Sequence, residues 1–491
     1  MMLLRLMAAA ASLLAVATTL TAADPIRLHP KNPHYFEWRG KALALITSAE
    51  HYGMVLNPDL DFKRYLETLG REGMNYTRIF SGSYVEPRGA FSIKRNNLAP
   101  GQGRFLSPWA RSGEQGYAGG GNKFDLDRWD PDYLARLKGF IAEAGRHGIV
   151  VELTLFCSTY GDSQWSLSPF HPSNNVDGIS LDDWKRLNTL VNGSLFTRQE
   201  RLVRHLVREL NGFDNLFYEI QNEPWADNHV MGDFLNPYLH NQKRFPNAVE
   251  VTTPVSVEWQ AAIAKVIVDE ESRLPHRHLI AQNIANFRLP VRDNDIAAGV
   301  SILNFHYAFP EAAAWNYGLG RLLGYDESGF AGSADGTYRR EAWNFMMAGG
   351  GLFNSLDYSF TQGREDGTDT EPNGPGGGSP ALRRQLGTLS RFLHSFDLAE
   401  LRPDVTSVRV AQGTVARGLS SPGKQYAFYL AGRAPARLLL DLPRGRYGAE
   451  WLNPVSGKVE RSEELDYRGG TADLVSPLFE EEIALRIVIK R

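Results

Sequence analysis

Leu216-Phe-Tyr-Glu-Ile-Gln-Asn-Glu-Pro-Trp225 is an apolar run that ends in the triplet Asn222-Glu223-Pro224. On both sides of it, from Asp24 to about Phe396, short β-branched or aromatic runs alternate with amphipathic stretches, the rhythm of a parallel sheet covered by helices. Eight strand candidates can be counted: Ala42 to Ser48, Tyr76 to Ser81, Ile149 to Phe156, Leu216 to Glu223, His278 to Asn283, Ser301 to Tyr307, Arg321 to Glu327 and Leu352 to Phe360. The Asn-Glu-Pro run is the fourth. Eight parallel strands with intervening helices close into a barrel whose functional groups come from strand C-terminal ends. The expected architecture is a (β/α)8 TIM barrel over residues 24–398, with Glu223 on its working rim.

Helix starts punctuate the pattern. Asn57-Pro58 and Asp130-Pro131 each place a capping side chain before a proline at the first helical position. After Pro131, Leu134, Leu137, Ile141 and Ala144 recur at helical spacing, and Thr197-Arg-Gln-Glu200 reads as a capping box ahead of Leu202, Val203, Leu206, Val207 and Leu210. The stretch from Asn283 to Ser301 contains Pro290 and little periodicity. Two long loops, Ser83 to Asp127 and Thr361 to Pro380, follow the second and eighth strands, on the face where a barrel builds its site. Beyond Leu398 short alternating runs (Thr406 to Val410, Gln425 to Tyr429, Arg437 to Leu442, Ile483 to Ile489) predict a small antiparallel β-sandwich over residues 399–491.

Composition narrows the function classes. With 491 residues, 43% hydrophobic and 22% charged, the chain is a globular protein of one large and one small domain. A net charge of -3 without a basic segment speaks against nucleic-acid binding. Met1 to Ala23 reads as a secretory leader: Arg5, the apolar stretch Leu6 to Leu20, then Thr21-Ala22-Ala23 before Asp24. Cleavage is expected after Ala23, giving a secreted or periplasmic protein without a membrane span. The single cysteine, Cys157, allows no intrachain disulfide and reads as a small core residue near a strand end. No sequence feature sets an oligomeric state.

The Asn222-Glu223-Pro224 ending resembles clan A glycoside hydrolases, such as the family 5 cellulases and mannanases. In that clan the triplet ends the fourth strand; its Glu is the acid/base and its Asn holds the sugar 2-hydroxyl. The resemblance thus implies Glu223 as acid/base and Asn222 as a substrate ligand. The clan's nucleophile is a Glu ending strand seven, and Leu322-Leu-Gly-Tyr-Asp-Glu-Ser-Gly329 supplies Glu327, with Asp326 adjacent and able to exchange roles with it. Arg78 resembles the strand-two arginine that keeps the nucleophile ionised. Asn304-Phe-His-Tyr-Ala308 resembles the strand-six elements without their usual His-x-Tyr spacing, so Tyr307 is assigned to the nucleophile and His306 to sugar hydroxyls. The strand-eight Trp is missing, and Asp357 or Tyr358 is expected to take over its sugar contacts.

Bland readings stand beside these. Glu219 and Glu152 are strand-interior carboxylates that need a buried partner such as an arginine. Trp109, Trp165, Trp225 and Trp315 stack on sugars or fill core; Trp225, next to the triplet, is the one placed in the site. Asn75 and Asn192 match the glycosylation pattern, but Asn75 enters a barrel strand. The histidines lack ligand-like spacing and no phosphate loop or dinucleotide fingerprint occurs, so neither metal nor cofactor is expected. The function implied is retaining hydrolysis of a β-linked glycan, with carbohydrate as the partner. Two other readings remain: a catalytically silent glycan-binding barrel, and an exo-acting glycosidase whose long loops close one end of the cleft.

Overall fold

The structure, a computed structural model, describes residues 24–179, 181, 183–227, 230–233, 248–410 and 414–490; the expected leader lies outside them. Eight parallel strands form the central sheet: β1 Leu45–Ala49, β2 Tyr76–Phe80, β3 Val150–Cys157, β4 Leu216–Asn222, β5 Ile280–Asn286, β6 Ile302–His306, β7 Leu322–Ser328 and β8 Leu352–Leu356. Their order around the sheet is β1-β8-β7-β6-β5-β4-β3-β2. Each of the eight expected strands is present. The seam between β1 and β2 is closed by a side chain: Asn75 accepts from Ile46 N at 2.8 Å and donates to Ala44 O at 2.9 Å, standing in for ladder bonds. Neither glycosylation candidate is free, since Asn192 donates to Leu187 O and to Gln199.

The first expected strand turns out to be two pieces. Lys41–Leu43 completes an antiparallel hairpin with Asn32–Trp38, and only Leu45–Ala49 enters the barrel. That hairpin, which the alternating pattern did not separate, plugs the barrel floor. Ile26, Phe36 and Trp38 form one apolar cluster with a residue from the start of every strand: Leu45, Tyr76, Val150, Phe217, Ala281, Ile302, Leu322 and Leu352.

Two helix starts need correction. The helix after β1 begins at Phe62, and Asp61 caps it by accepting from Lys63 N and Arg64 N; Asn57 instead closes a turn onto Asp59 N. The helix Leu195–Leu210 starts ahead of Thr197, with Asn192 accepting from Phe196 N, while Glu200 pairs with Arg204 one turn on. Asp130 does cap Pro131–Arg146, and both helices bury the expected stripes, Leu134 being only partly covered. Among the described residues no α-helix joins β5 to β6; the short 3-10 turn Asp293–Asp295 lies there. The cover of the fifth unit is thus irregular, as Pro290 and the missing periodicity imply.

The long loops are structured. The one after β2 carries the hairpin Trp109–Gln115 and Asn122–Trp129. The one after β8 is laced to it by Lys94 N donating to Asn373 O at 2.7 Å and by Arg95 beside Asp369 at 2.9 Å. Downstream, a six-stranded and a three-stranded antiparallel sheet face each other over Phe428, Leu438, Leu440, Trp451 and Leu485. This β-sandwich leans on the helix Asp335–Met346: Trp343 stacks on Tyr429 at 5.2 Å, and Arg339 donates to Glu482 at 2.6 Å.

Candidate active site

The strand ends on the opposite rim surround a cavity of 590 Å³ whose walls include Tyr52, Tyr160, Glu223, Trp225, Tyr307 and Glu327. On a strand, neighbouring side chains point to opposite faces. Several functional pairs here are sequence neighbours, so the backbone has to break that rule. It does so in two ways. Glu223 and Tyr307, each the residue after its strand, are left-handed at φ 47° and 50°, which turns them back to join Asn222 and His306. On β7 the pairing with β6 skips from Tyr325 to Glu327, a bulge at Asp326 that sends both Asp326 and Glu327 inward. Among the described residues eight non-glycines have positive φ, and six of them (Tyr52, Phe91, Glu223, Phe287, Tyr307, Phe330) line this one cavity. Strain of this kind costs about 1–3 kcal/mol per residue and collects where geometry serves a site.

Glu327 is held from three sides. Tyr307 Oη donates to Oε1 at 2.7 Å; Tyr52 Oη and Arg78 Nη1 donate to Oε2 at 2.9 and 3.2 Å. Arg78 is completely buried, and its fork also reaches Glu219, Asn222 Oδ1 at 2.8 Å and Asp326 at 3.4 Å. Burial alone would lower its pKa, but Glu219 and Asp326 drive it well up, so the guanidinium stays charged. Asp326 is buried behind the cavity wall; burial would raise its carboxyl, but Arg78 and His306 outweigh this and hold it down to about 2. Asp326 is therefore a counter-ion, and Glu327 is the β7 carboxylate that faces the cavity.

Glu223 accepts from Tyr160 Oη at 2.7 Å and lies 3.0 Å from His306 Nδ1. His306 is fully buried between carboxylates, with Nδ1 also 3.7 Å from Glu327 and Nε2 3.5 Å from Asp326. Burial would lower its pKa, yet Glu327 and Asp326 raise it well above the usual value, so the ring is an imidazolium. Glu223 responds in the opposite direction: burial would raise it, but His306, Tyr160 and Arg78 together bring it down. Of the two, His306 thus carries the proton and Glu223 is the ionised member of the pair.

Asn222 links the two halves. Its Oδ1 takes the Arg78 hydrogen bond and its Nδ2 donates to Tyr160 Oη at 2.9 Å, leaving one amide hydrogen with only Cys157 Sγ at 3.5 Å. That hydrogen can serve a ligand hydroxyl. Trp225 lines the cavity and meets His306 edge to face at 5.3 Å. Cys157 lines it too, at the end of β3, its thiol pushed well up by burial and the nearby Glu86. Glu219 and Glu152 have buried partners as expected, Arg78 for the first and Tyr76 and Asn304 for the second. Of the other tryptophans, Trp109 is core and Trp315 is half-exposed over Arg288.

The structure divides the last two expected ligands. Asp357 is fully buried away from the cavity, accepting from Ser48 at 2.9 Å and Arg383 at 2.6 Å, so it fastens the β8 loop. Tyr358 sits beside His51, and its buried hydroxyl has no partner. Tyr52, Tyr160 and Glu86 went unread in the sequence, and His51 was read only as a histidine without ligand-like spacing; their one signal was position, beyond the C-termini of β1, β3 and β2. The triplets Glu219-His306-Asp326 and Glu223-His306-Glu327 have their ligand atoms within 4.8 Å of one another, close enough for a metal ion. Arg78 and a protonated His306 already occupy the lone pairs and the charge that such an ion would need.

No family model and no curated protein matches the sequence. Solved structures do match. A glycoside hydrolase family 5 structure from Bacteroides vulgatus ATCC 8482 superposes with a TM-score of 0.61 at 12% identity, covering 95% of this chain and 93% of that one. A structure named only glycoside hydrolase gives 0.60 at 11%, with 95% and 97% covered. A further Bacteroides vulgatus protein, provisionally named a glycoside hydrolase, gives 0.62 at 15%, with 96% and 83% covered. At such identities the likeness is one of fold.

Proposed function

We propose that the protein is a secreted retaining glycoside hydrolase that cleaves O-glycosidic bonds of a β-linked glycan, with Glu327 as nucleophile and Glu223 as acid/base. The observation that carries this reading is the carboxylate pair: one oxygen of Glu223 and one of Glu327 lie within 4.8 Å of each other across a shared cavity. Double displacement needs carboxyl groups about 5–5.5 Å apart, whereas inversion needs about 6.5–9.5 Å to admit a water. A silent binding barrel has no use for this pair or for the strained backbone that brings it together.

The electrostatics supply a sequence of events. Glu327, aligned by Tyr307, Tyr52 and Arg78, attacks the anomeric carbon, and the bond to the leaving oxygen breaks. As Glu327 becomes an ester its charge disappears. That charge heads the contributions that hold the proton on His306 against burial, so its loss releases the proton across 3.0 Å to Glu223 and on to the leaving oxygen. Glu223 is then ionised again, ready to take a proton from the water that attacks the anomeric carbon and frees Glu327.

The test is hydrolysis of a panel of aryl glycosides and β-linked polysaccharides by the wild type and by Glu327→Ala. Turnover that vanishes in the variant supports the assignment. A well-folded wild type inert on every glycoside would favour the silent barrel. The leader reading is checked separately: mature protein exported by its host should begin at Asp24.

A further inference from the structure

A second polar group on the cavity wall is not used by this chemistry. His51 and Glu86, from the segments after β1 and β2, both line the cavity. His51 Nε2 lies 3.3 Å from Glu86 Oε2; Tyr84 Oη donates to Glu86 Oε1 at 3.3 Å, and Asn96 donates to Oε2. The His51 ring is 5.4 Å from that of Tyr52, whose hydroxyl holds Glu327, so the group stands one side chain from the nucleophile. Two atoms here are orphans. His51 Nδ1 and the Tyr358 hydroxyl are buried without a hydrogen-bond partner, on rings 6.1 Å apart. Buried polar atoms are nearly always paired, so two orphans beside a cavity-lining carboxylate mark where a polar ligand completes the set.

The same wall is braced from behind. Around Glu86, Tyr84, Asn96 and Asn97 are all buried. Asn97 Nδ2 ties Glu50 at 2.8 Å to Phe360 O at 3.1 Å, and Asn373 Nδ2 reaches Arg95 O at 3.1 Å, bolting the loops after β2 and β8 together.

Resting on the glycosidase reading above, we propose that His51, Glu86 and Tyr358 form a pocket for the hydroxyls of one terminal sugar, so that the enzyme removes units from chain ends. Sugar hydroxyls donate to the Glu86 carboxylate and accept from His51 Nδ1 and Tyr358 Oη, charge-assisted bonds well suited to fixing one end of a polyol.

The experiment follows β-linked oligosaccharides labelled at the reducing end, with Glu86→Gln and Tyr358→Phe assayed on the matching aryl glycosides after their melting temperatures confirm folding. From the earliest time point the wild type should release single sugars. Glu86→Gln should lower kcat/KM about 10- to 100-fold, the scale of one hydrogen bond to a charged group. That loss should shrink on a deoxy glycoside lacking the hydroxyl concerned. Internal cleavage products, or both variants within twofold of wild type on an enzyme that is otherwise active, would overturn the pocket while leaving the glycosidase reading intact. A wild type inert on every glycoside overturns both.

Discussion

The two ends of the barrel are built from the same eight strands and obey opposite rules. At the floor, the first or second residue of each strand is apolar and packs against Ile26, Phe36 and Trp38. At the rim, the residues that follow Asn222, Asn286 and His306 are the left-handed Glu223, Phe287 and Tyr307, and carboxylates crowd around Arg78 and His306. The floor is where burial stabilises the fold; the rim is where strain and desolvated charge are tolerated because the site needs them. Substitutions at the two ends should therefore separate activity from stability.

The largest effect belongs to the rim. Glu327→Ala should lower turnover by about 10⁴-fold or more, with no fall in melting temperature, and azide should restore activity to give a product of inverted configuration. A large fall in melting temperature would show the rim to be part of the stabilising core. At the floor, Phe36→Ala should cost about 3–5 kcal/mol in denaturant unfolding, the range for a fully buried aromatic, and leave kcat/KM of the folded enzyme unchanged. A loss of kcat/KM there would mean that the plug shapes the site.

His306→Gln sharpens the account of the proton. In the wild type the loaded pair exists below the raised pKa of His306, so activity should fall only as pH rises through a value above 6.5. Without the imidazole the proton has to rest on Glu223 itself, a carboxylic acid, and the alkaline limb of the kcat/KM profile should move to lower pH. An unmoved limb would place the proton elsewhere. Tyr307→Phe should have the smallest effect, about tenfold in kcat, since it removes one hydrogen bond to a charged group and leaves Tyr52 and Arg78 on Glu327.

The rim and floor also differ in how much of them the sequence reveals. Strand periodicity and the ends of the runs located all eight strands, and the triplet at Asn222-Glu223-Pro224 led to Glu223 and Glu327, the pair that face each other across the cavity. The floor went unread because Ala42 to Ser48 reads as one strand; the local signal was Arg39-Gly40, a two-residue turn with both φ positive that joins Asn32–Trp38 to Lys41–Leu43. At the rim, periodicity of two cannot express a bulge at Asp326 or a left-handed Tyr307, the features that let adjacent residues share a face. Tyr52 and Tyr160 were unreadable for a related reason, since a loop tyrosine acquires meaning only once strands distant in sequence are neighbours. Asp357 shows the converse: its position at a strand end suggested a ligand, and only the buried Arg383 reveals it as a fastening.

The central claim is that Glu223 and Glu327 work by double displacement, and the configuration of the first-formed sugar tests it most directly. Proton NMR of a freshly started reaction on a β-glycoside that the wild type turns over should show the β-anomer first, with the α-anomer growing only as the sugar mutarotates. The α-anomer appearing first would contradict the account, because inversion requires a water where this site holds its second carboxylate.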